Sequence, residues 1–137
     1  MGDNRELAAA FEAVLQTGDF GKMGALLLEN GTDDFTQDWP QSGERMNKAQ
    51  ALRISEGYPE AAGTAPTFTY KRMIGGGDVF VVEATIDYGD GVPVSYVGIG
   101  ELRDGRIAHV TEYFANPFEA PAWRQGLTGR IEEAVPA

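Results

Sequence analysis

The sequence has no cysteine and a single histidine, His109, among its 137 residues. Without thiols there is no disulfide scaffold, thiolate metal site or cysteine nucleophile. One imidazole excludes a histidine-rich metal site and leaves a serine–histidine–carboxylate site only one candidate base. Basic residues are scarce, with 11 Lys and Arg against 21 Asp and Glu and a net charge of −10. Such a field repels phosphate backbones and anionic lipid surfaces, so neither nucleic acid nor membrane is expected as a partner. No apolar run approaches the ~18–20 residues that span a bilayer. The opening Met1-Gly2-Asp3-Asn4-Arg5-Glu6 lacks the basic-then-apolar layout of a signal peptide, which predicts a cytoplasmic location.

What is present fits one domain over residues 1–137, since domains run to roughly 100–200 residues. A helix capped by Asp3 or Asn4 is predicted from Arg5 to Thr17, with Leu7, Phe11, Val14 and Leu15 on one apolar stripe and Gly18 closing it. A second helix follows Asp19, turns Phe20, Met23, Leu26 and Leu27 inward, and stops near Asn30-Gly31. Residues 33–39 read as a short strand, and a third helix from Asn47 to Glu56 is expected to end before Gly57-Tyr58-Pro59. The period then changes to two. Thr67–Ile74, Val79–Tyr88, Val94–Arg103 and Arg106–Phe114 are strands joined by short glycine-rich turns, hence antiparallel neighbours. Phe118–Gly126 is expected to close the domain. Helices first and a meander afterwards give an α+β fold with the helices on one sheet face.

Several local patterns point nowhere. Gly98-Ile99-Gly100 lies inside a strand with no helix after it, which is wrong for a dinucleotide loop. The Gly75–Gly77 run lacks the lysine and hydroxyl residue of a phosphate loop. Asp87-Tyr88-Gly89-Asp90-Gly91 is better explained as a hairpin turn than as a calcium loop.

The strand faces carry more. Phe80, Val82, Ala84, Ile86 and Tyr88 share one face and should meet the helices. On the next strand Val94, Tyr96, Gly98, Gly100 and Leu102 share a face. The two glycines there either let the sheet bend or leave open volume over it. On the last strand Val110, Glu112 and Phe114 share a face, opposite to Ile107, His109, Thr111 and Tyr113. A carboxylate flanked by apolar neighbours is either a strand-edge group paired with Arg72 or Arg106, or a buried acid able to move a proton. His109 reads as a surface or interface residue.

Three segments together resemble the SnoaL-like branch of the nuclear transport factor two-like superfamily. They are the helix–Thr17-Gly18-Asp19-Phe20–helix opening, Asp38-Trp39-Pro40 followed by Ser42-Gly43-Glu44, and the strand start Gly105-Arg106-Ile107. The tail Glu112-Tyr113-Phe114-Ala115-Asn116-Pro117-Phe118-Glu119 is similar to the phenazine-biosynthesis A/B proteins. The resemblance implies a cone-shaped α+β fold, with a strongly bent antiparallel sheet wrapped around the N-terminal helices and enclosing an apolar pocket. It also implies a homodimer. Members include ketosteroid isomerases, polyketide cyclases, epoxide hydrolases, dehydratases and proteins that only bind, so the fold does not settle the reaction.

Carried over residue by residue, the resemblance departs from the steroid isomerases. Their oxyanion-hole tyrosine and aspartate fall on Phe11 and Gly98, which offer no side-chain donor. Their general base falls near Asp38. The acid that cyclases use on the last strand falls on Glu112, and the histidine before it on Val110. The resemblance thus implies Glu112 as proton shuttle, assisted by Asp38 or Tyr96. The substrate-binding wall is expected from Phe11, Trp39, Phe80, Val82, Gly98, Val110 and Phe114.

Two functions compete. One is a cofactor-independent acid–base enzyme (cyclase, isomerase or dehydratase) acting on a small apolar or aromatic, polyketide-like molecule. The other is a non-catalytic small-molecule-binding or dimerisation domain. Epoxide hydrolysis would need a charged relay for which Asp38 with Arg53 is the sole pairing. Trp39, Tyr58 and Trp123 could stack on a flat ligand, with Trp123 expected instead to close the cone or join a dimer interface. Arg45, Arg53 and Arg124 are expected at the surface.

Overall fold

A computed structural model describes residues 4–63, 66–75 and 77–131. Three helices come first: α1 (Asn4–Thr17), α2 (Phe20–Glu29) and, after strands β1 (Gly31–Trp39) and β2 (Glu44–Asn47), α3 (Lys48–Ala62). The meander follows as β3 (Thr67–Gly75), β4 (Val79–Asp87), β5 (Val94–Arg103) and β6 (Arg106–Ala115), and then a short α4 (Ala122–Gln125). The α1–α2 joint forms as the residues demand. Gly18 takes φ +71° against the Phe68 carbonyl, and the Asp19 carboxylate accepts the Lys22 N–H as the α2 cap. Asp104 and Gly105 both take positive φ, 53° and 76°, which is the hairpin turn expected of Asp-Gly.

The six strands form one sheet in the order β2-β1-β6-β5-β4-β3. Every neighbouring pair is antiparallel except β1 and β6, which run parallel. The expected wholly antiparallel sheet is thus corrected to a mixed one. A parallel partner needs a long crossover, and everything from β2 to β5 supplies it. The helices lie on one face, and the core between them and the sheet is built from Leu7, Phe11, Leu15, Phe35, Phe68, Phe80, Ala84, Ile86, Ile107 and Val110. Phe35, Ile86 and Ile107 are sealed almost completely.

Four expectations need revision. Ile107 is buried together with Val110, although the two differ in strand parity. A register shift opposite Glu101–Leu102 inserts an extra residue in β6, so Ile107 turns inward while His109 turns outward. Asn4 does not cap α1; its side chain accepts the Gly105 N–H and donates to Asp78, tying the helix start to two hairpin turns, while Asp3 lies outside the described residues. α3 continues through Gly57 and Pro59 to Ala62. Proline's φ is already helical, so the chain loses one N–H there rather than its dihedrals, and Glu60, Ala61 and Ala62 favour continuation. Finally, the segment after Asn116-Pro117 does not close the domain: Phe118 and Trp123 are largely exposed.

Phe35 sits at 1% exposure in β1, under the helices. Phe35→Ala should cost about 3–5 kcal/mol of unfolding free energy, transfer and cavity terms together. Urea unfolding followed by circular dichroism checks this, with the midpoint falling and the slope unchanged.

Candidate active site

The helices and the sheet enclose a cavity of about 540 Å³. α1 contributes Phe11 and Leu15, α2 Met23 and Leu27, and α3 Ala51 and Ile54. The sheet contributes alternate residues of each strand, because successive side chains point to opposite faces. These are Gln37 and Trp39 on β1, Phe80, Val82 and Ile86 on β4, Tyr96, Gly98 and Gly100 on β5, and Val110, Glu112 and Phe114 on β6. The expected wall residues Phe11, Trp39, Phe80, Val82, Gly98, Val110 and Phe114 all line this cavity, as do Tyr96 and Glu112.

Glu112 is the carboxylate of the cavity wall. Its Oε1 accepts from Gln37 Nε2 and, at 2.9 Å, from Trp39 Nε1, and its Oε2 accepts from the Tyr96 hydroxyl at 2.5 Å. Both donors at Oε1 are N–H groups that can only donate, so any proton Glu112 takes up goes to Oε2, beside Tyr96. Neither expected arginine reaches it: Arg72 pairs with Glu83 at 2.7 Å, and Arg106 donates to the Gly31 carbonyl. Burial, and then the negative Glu112 beside it, push the Tyr96 phenol well above its ordinary value. Tyr96 therefore stays an O–H donor across the neutral range.

The β5 glycines make this geometry possible. Gly98 stands directly across from Glu112, and Tyr96 across from Phe114. A Cβ on Gly98 would collide with the Tyr96 hydroxyl and stand 2.9 Å from its Cζ; one on Gly100 would strike the Phe80 ring. The missing side chains leave volume that these two rings fill. Tyr96 lies over Gly98 and so reaches the carboxylate. Trp39 and Phe114 stand edge-to-face at 6.2 Å, Tyr96 and Phe114 lie at 5.4 Å, and Phe68 and Tyr96 at 5.6 Å. These contacts fix the rings that carry two of the three donors.

Asp38 is not part of the site. It lies between Gln37 and Trp39 on β1, so its side chain projects from the opposite sheet face. There Arg45 grips it through two hydrogen bonds of 2.6 and 2.8 Å, and His109 Nε2 stands 3.4 Å away. The Arg45 hydrogen bonds hold the Asp38 carboxyl below its usual value. The assisting role expected of Asp38 fails on strand parity, and the Asp38–Arg53 relay fails with it. His109 also bonds Thr36 at 2.6 Å on that outer face. Gln37 was missed as a site residue. Its signal was available, because it shares the parity of Phe35 and Trp39 and is the one polar residue among them. Gln41 also went unnoticed: its Oε1 accepts the Phe114 N–H at 2.5 Å from the loop after β1. Among the described residues no group of three or more His, Asp or Glu side chains is placed to hold a metal ion, and no helix is long and apolar enough to cross a membrane.

The raised Tyr96 phenol gives a pH signature. Its contribution to stability is complete below about pH 10, the ordinary tyrosine value, and is lost as pH rises from there towards the raised folded value. In an ultraviolet titration, Tyr96→Phe should delete the highest-pH phenolate step. Glu112→Gln should move that step to lower pH by removing a neighbouring negative charge. Gly98→Ala should do the same by breaking the Tyr96–Glu112 contact.

Comparison with known proteins identifies the family and the fold. Residues 7–110 match the SnoaL-like domain family. A nuclear transport factor two-like protein of unknown function from Burkholderia xenovorans is 32% identical, with 93% of this chain and 94% of that one aligned at a TM-score of 0.67. A proposed ketosteroid isomerase from Kribbella flavida shares the fold at 24% identity, with 95% and 90% of the two chains covered and a TM-score of 0.75. A proposed polyketide cyclase from Streptomyces antibioticus does so at 14% identity, with 81% and 91% covered and a TM-score of 0.58. No curated protein matches the chain. The chain belongs to the SnoaL-like family of the nuclear transport factor two-like superfamily.

Proposed function

We propose that this chain is a cofactor-independent acid–base enzyme of the cyclase, isomerase or dehydratase type, acting on a small polyketide-like or aromatic-precursor molecule. The observation that carries the reading is the Glu112 carboxylate on an apolar cavity wall, with Oε1 occupied by two N–H donors and Oε2 beside the Tyr96 hydroxyl. Oε2 takes a proton from a carbon next to a substrate carbonyl, and the electron pair moves into an enolate. Returning that proton to a different carbon completes an isomerisation. Attack of the enolate carbon on a second carbonyl closes a ring, and Glu112 then protonates the new alkoxide. For a dehydration, Oε2 takes a second proton from the carbon beside the new hydroxyl, the C–O bond breaks as the double bond forms, and that proton leaves with the hydroxyl as water. The carboxylate begins and ends each cycle in the same state, so none of these reactions consumes a cofactor. Tyr96, held as a phenol, donates its one O–H to Oε2 while Glu112 is charged, and once Oε2 holds the proton that O–H can turn to a nearby oxyanion. The steroid-isomerase oxyanion hole is not available, since Phe11 and Gly98 carry no donors there.

A second reading is favoured by the same three hydrogen bonds. A carboxylate satisfied by protein donors is also what a structural acceptor in a ligand carrier looks like. As part of the enzymatic proposal the chain works as a homodimer, which sedimentation equilibrium tests by finding twice the chain mass.

The two readings part on proton exchange. Enolisable aryl ketones and 1,3-diketones incubated in deuterium oxide should incorporate deuterium faster with the protein than without it, as read by proton NMR. Glu112→Gln should lower that rate by about 10²–10⁴-fold, the usual range for positioned acid–base groups. Saturable binding with no exchange assigns the carrier role instead, and accelerated exchange unchanged in Glu112→Gln removes Glu112 as the base.

A further inference from the structure

We propose that the cavity selects its ligands by charge, taking uncharged apolar molecules and rejecting carboxylates, phosphates and other anions. The inference rests on the cavity being a small-molecule site, and on no catalytic step. No Lys, Arg or His is among the described residues lining the cavity, and its one carboxylate is Glu112. The three groups bonded to that carboxylate, Gln37, Trp39 and Tyr96, are neutral donors and bring no positive charge. Neighbouring arginines are engaged elsewhere: Arg45 with Asp38 on the outer face, Arg72 with Glu83, Arg103 with Asp34. Arg53 is not among the residues lining the cavity; it lines a neighbouring hollow with Glu44, Arg45 and Gln50, behind the shared residues Met46 and Ile54.

An anion entering this cavity would leave its hydration behind and find no counter-charge. It would also come to rest near the Glu112 carboxylate, where the surrounding apolar wall screens like charges far less than water does. The net charge of −10 adds repulsion of the same sign at longer range. An ester, ketone, lactone or phenol meets none of these penalties and still finds polar partners. Gln41 spends its Oε1 on the Phe114 N–H, which leaves its amide nitrogen as a donor on the cavity wall. Glu112 has three of its roughly four acceptor sites filled and keeps one open on the Oε2 side. The charge selection therefore comes mainly from Glu112 and the absence of a balancing cation in the lining.

A matched pair of probes tests it. Methyl 2-naphthoate and 2-naphthoate share one aromatic skeleton and differ in charge at neutral pH. Equilibrium dialysis against the wild-type protein should give at least roughly tenfold tighter binding of the ester, which corresponds to about 1.4 kcal/mol. In Glu112→Gln the ratio should shrink severalfold, because the carboxylate gains affinity more than the ester does. Equal or tighter binding of 2-naphthoate by the wild type overturns the proposal and leaves the cavity a ligand site. A ratio unchanged in a folded Glu112→Gln overturns Glu112 as its origin. If neither probe binds up to its solubility limit, the small-molecule site itself falls, and the charge selection with it. None of these outcomes depends on turnover.

Discussion

A carboxylate set into an apolar wall loses water that would otherwise stabilise its charge, at a cost of several kcal/mol unless other donors replace it. At Glu112 the replacement comes from Gln37, Trp39 and Tyr96, delivered by two pieces of backbone geometry. Gln37 and Trp39 come from alternate positions of β1, which reaches Glu112 because β1 runs parallel beside β6. Tyr96 comes from β5, and reaches only because Gly98 leaves the space its ring occupies. Apart from Gln41, Ser42 and Ser55 the rest of the cavity wall among the described residues is mostly apolar, which makes these few polar contacts count. Removing Gln37 or Trp39 would open an acceptor site on Oε1, whereas removing Tyr96 would leave Oε2 without a protein donor.

The two faces of the β1–β6 pair divide the charged chemistry of the molecule. The inner face carries Gln37, Trp39, Val110, Glu112 and Phe114. The outer face carries Thr36, Asp38 and His109, paired with one another and with Arg45 of the neighbouring β2. Strand alternation alone separates these sets, and the extra residue after Ile107 shifts the phase so that Ile107 and Val110 both point inward. Asp38 and Glu112 are thus near in sequence role but opposite in environment: one is gripped by an arginine at the surface, the other held by neutral donors at the pocket.

Much of this was legible in the sequence. The period-two runs and the Asp-Gly and glycine-rich turns located β3 to β6 closely, while the parity of Val110, Glu112 and Phe114 left Glu112 open between a strand-edge group and a buried acid, and the family resemblance turned it inward. The apolar alternation of Phe80, Val82 and Ile86 identified the cavity wall. What failed was long-range or energetically close. The parallel pairing of β1 with β6 joins segments some seventy residues apart and leaves no local signal. β2 is too short to show a period. Asn4 had a good cap residue's chemistry but found tertiary partners in Asp78 and Gly105. Asp38 was placed in the site on family position, although its own neighbours Gln37 and Trp39 had the inward parity. The glycines at 98 and 100 were read as bend or void, whereas aromatic rings from Tyr96 and Phe80 take up the space, a packing detail that strand patterns do not encode.

The central claim is that ligand chemistry happens on the inner face, at Glu112, and not at the charged cluster on the outer face. Carbon-13 NMR of protein labelled at the Glu and Asp side-chain carboxyls reads both places at once, with Glu112→Gln and Asp38→Asn assigning the two signals. Addition of an uncharged aromatic probe such as methyl 2-naphthoate is predicted to move the Glu112 carboxyl resonance and leave that of Asp38 where it was. A probe that binds, shifts the Asp38 resonance and leaves Glu112 undisturbed would contradict the account.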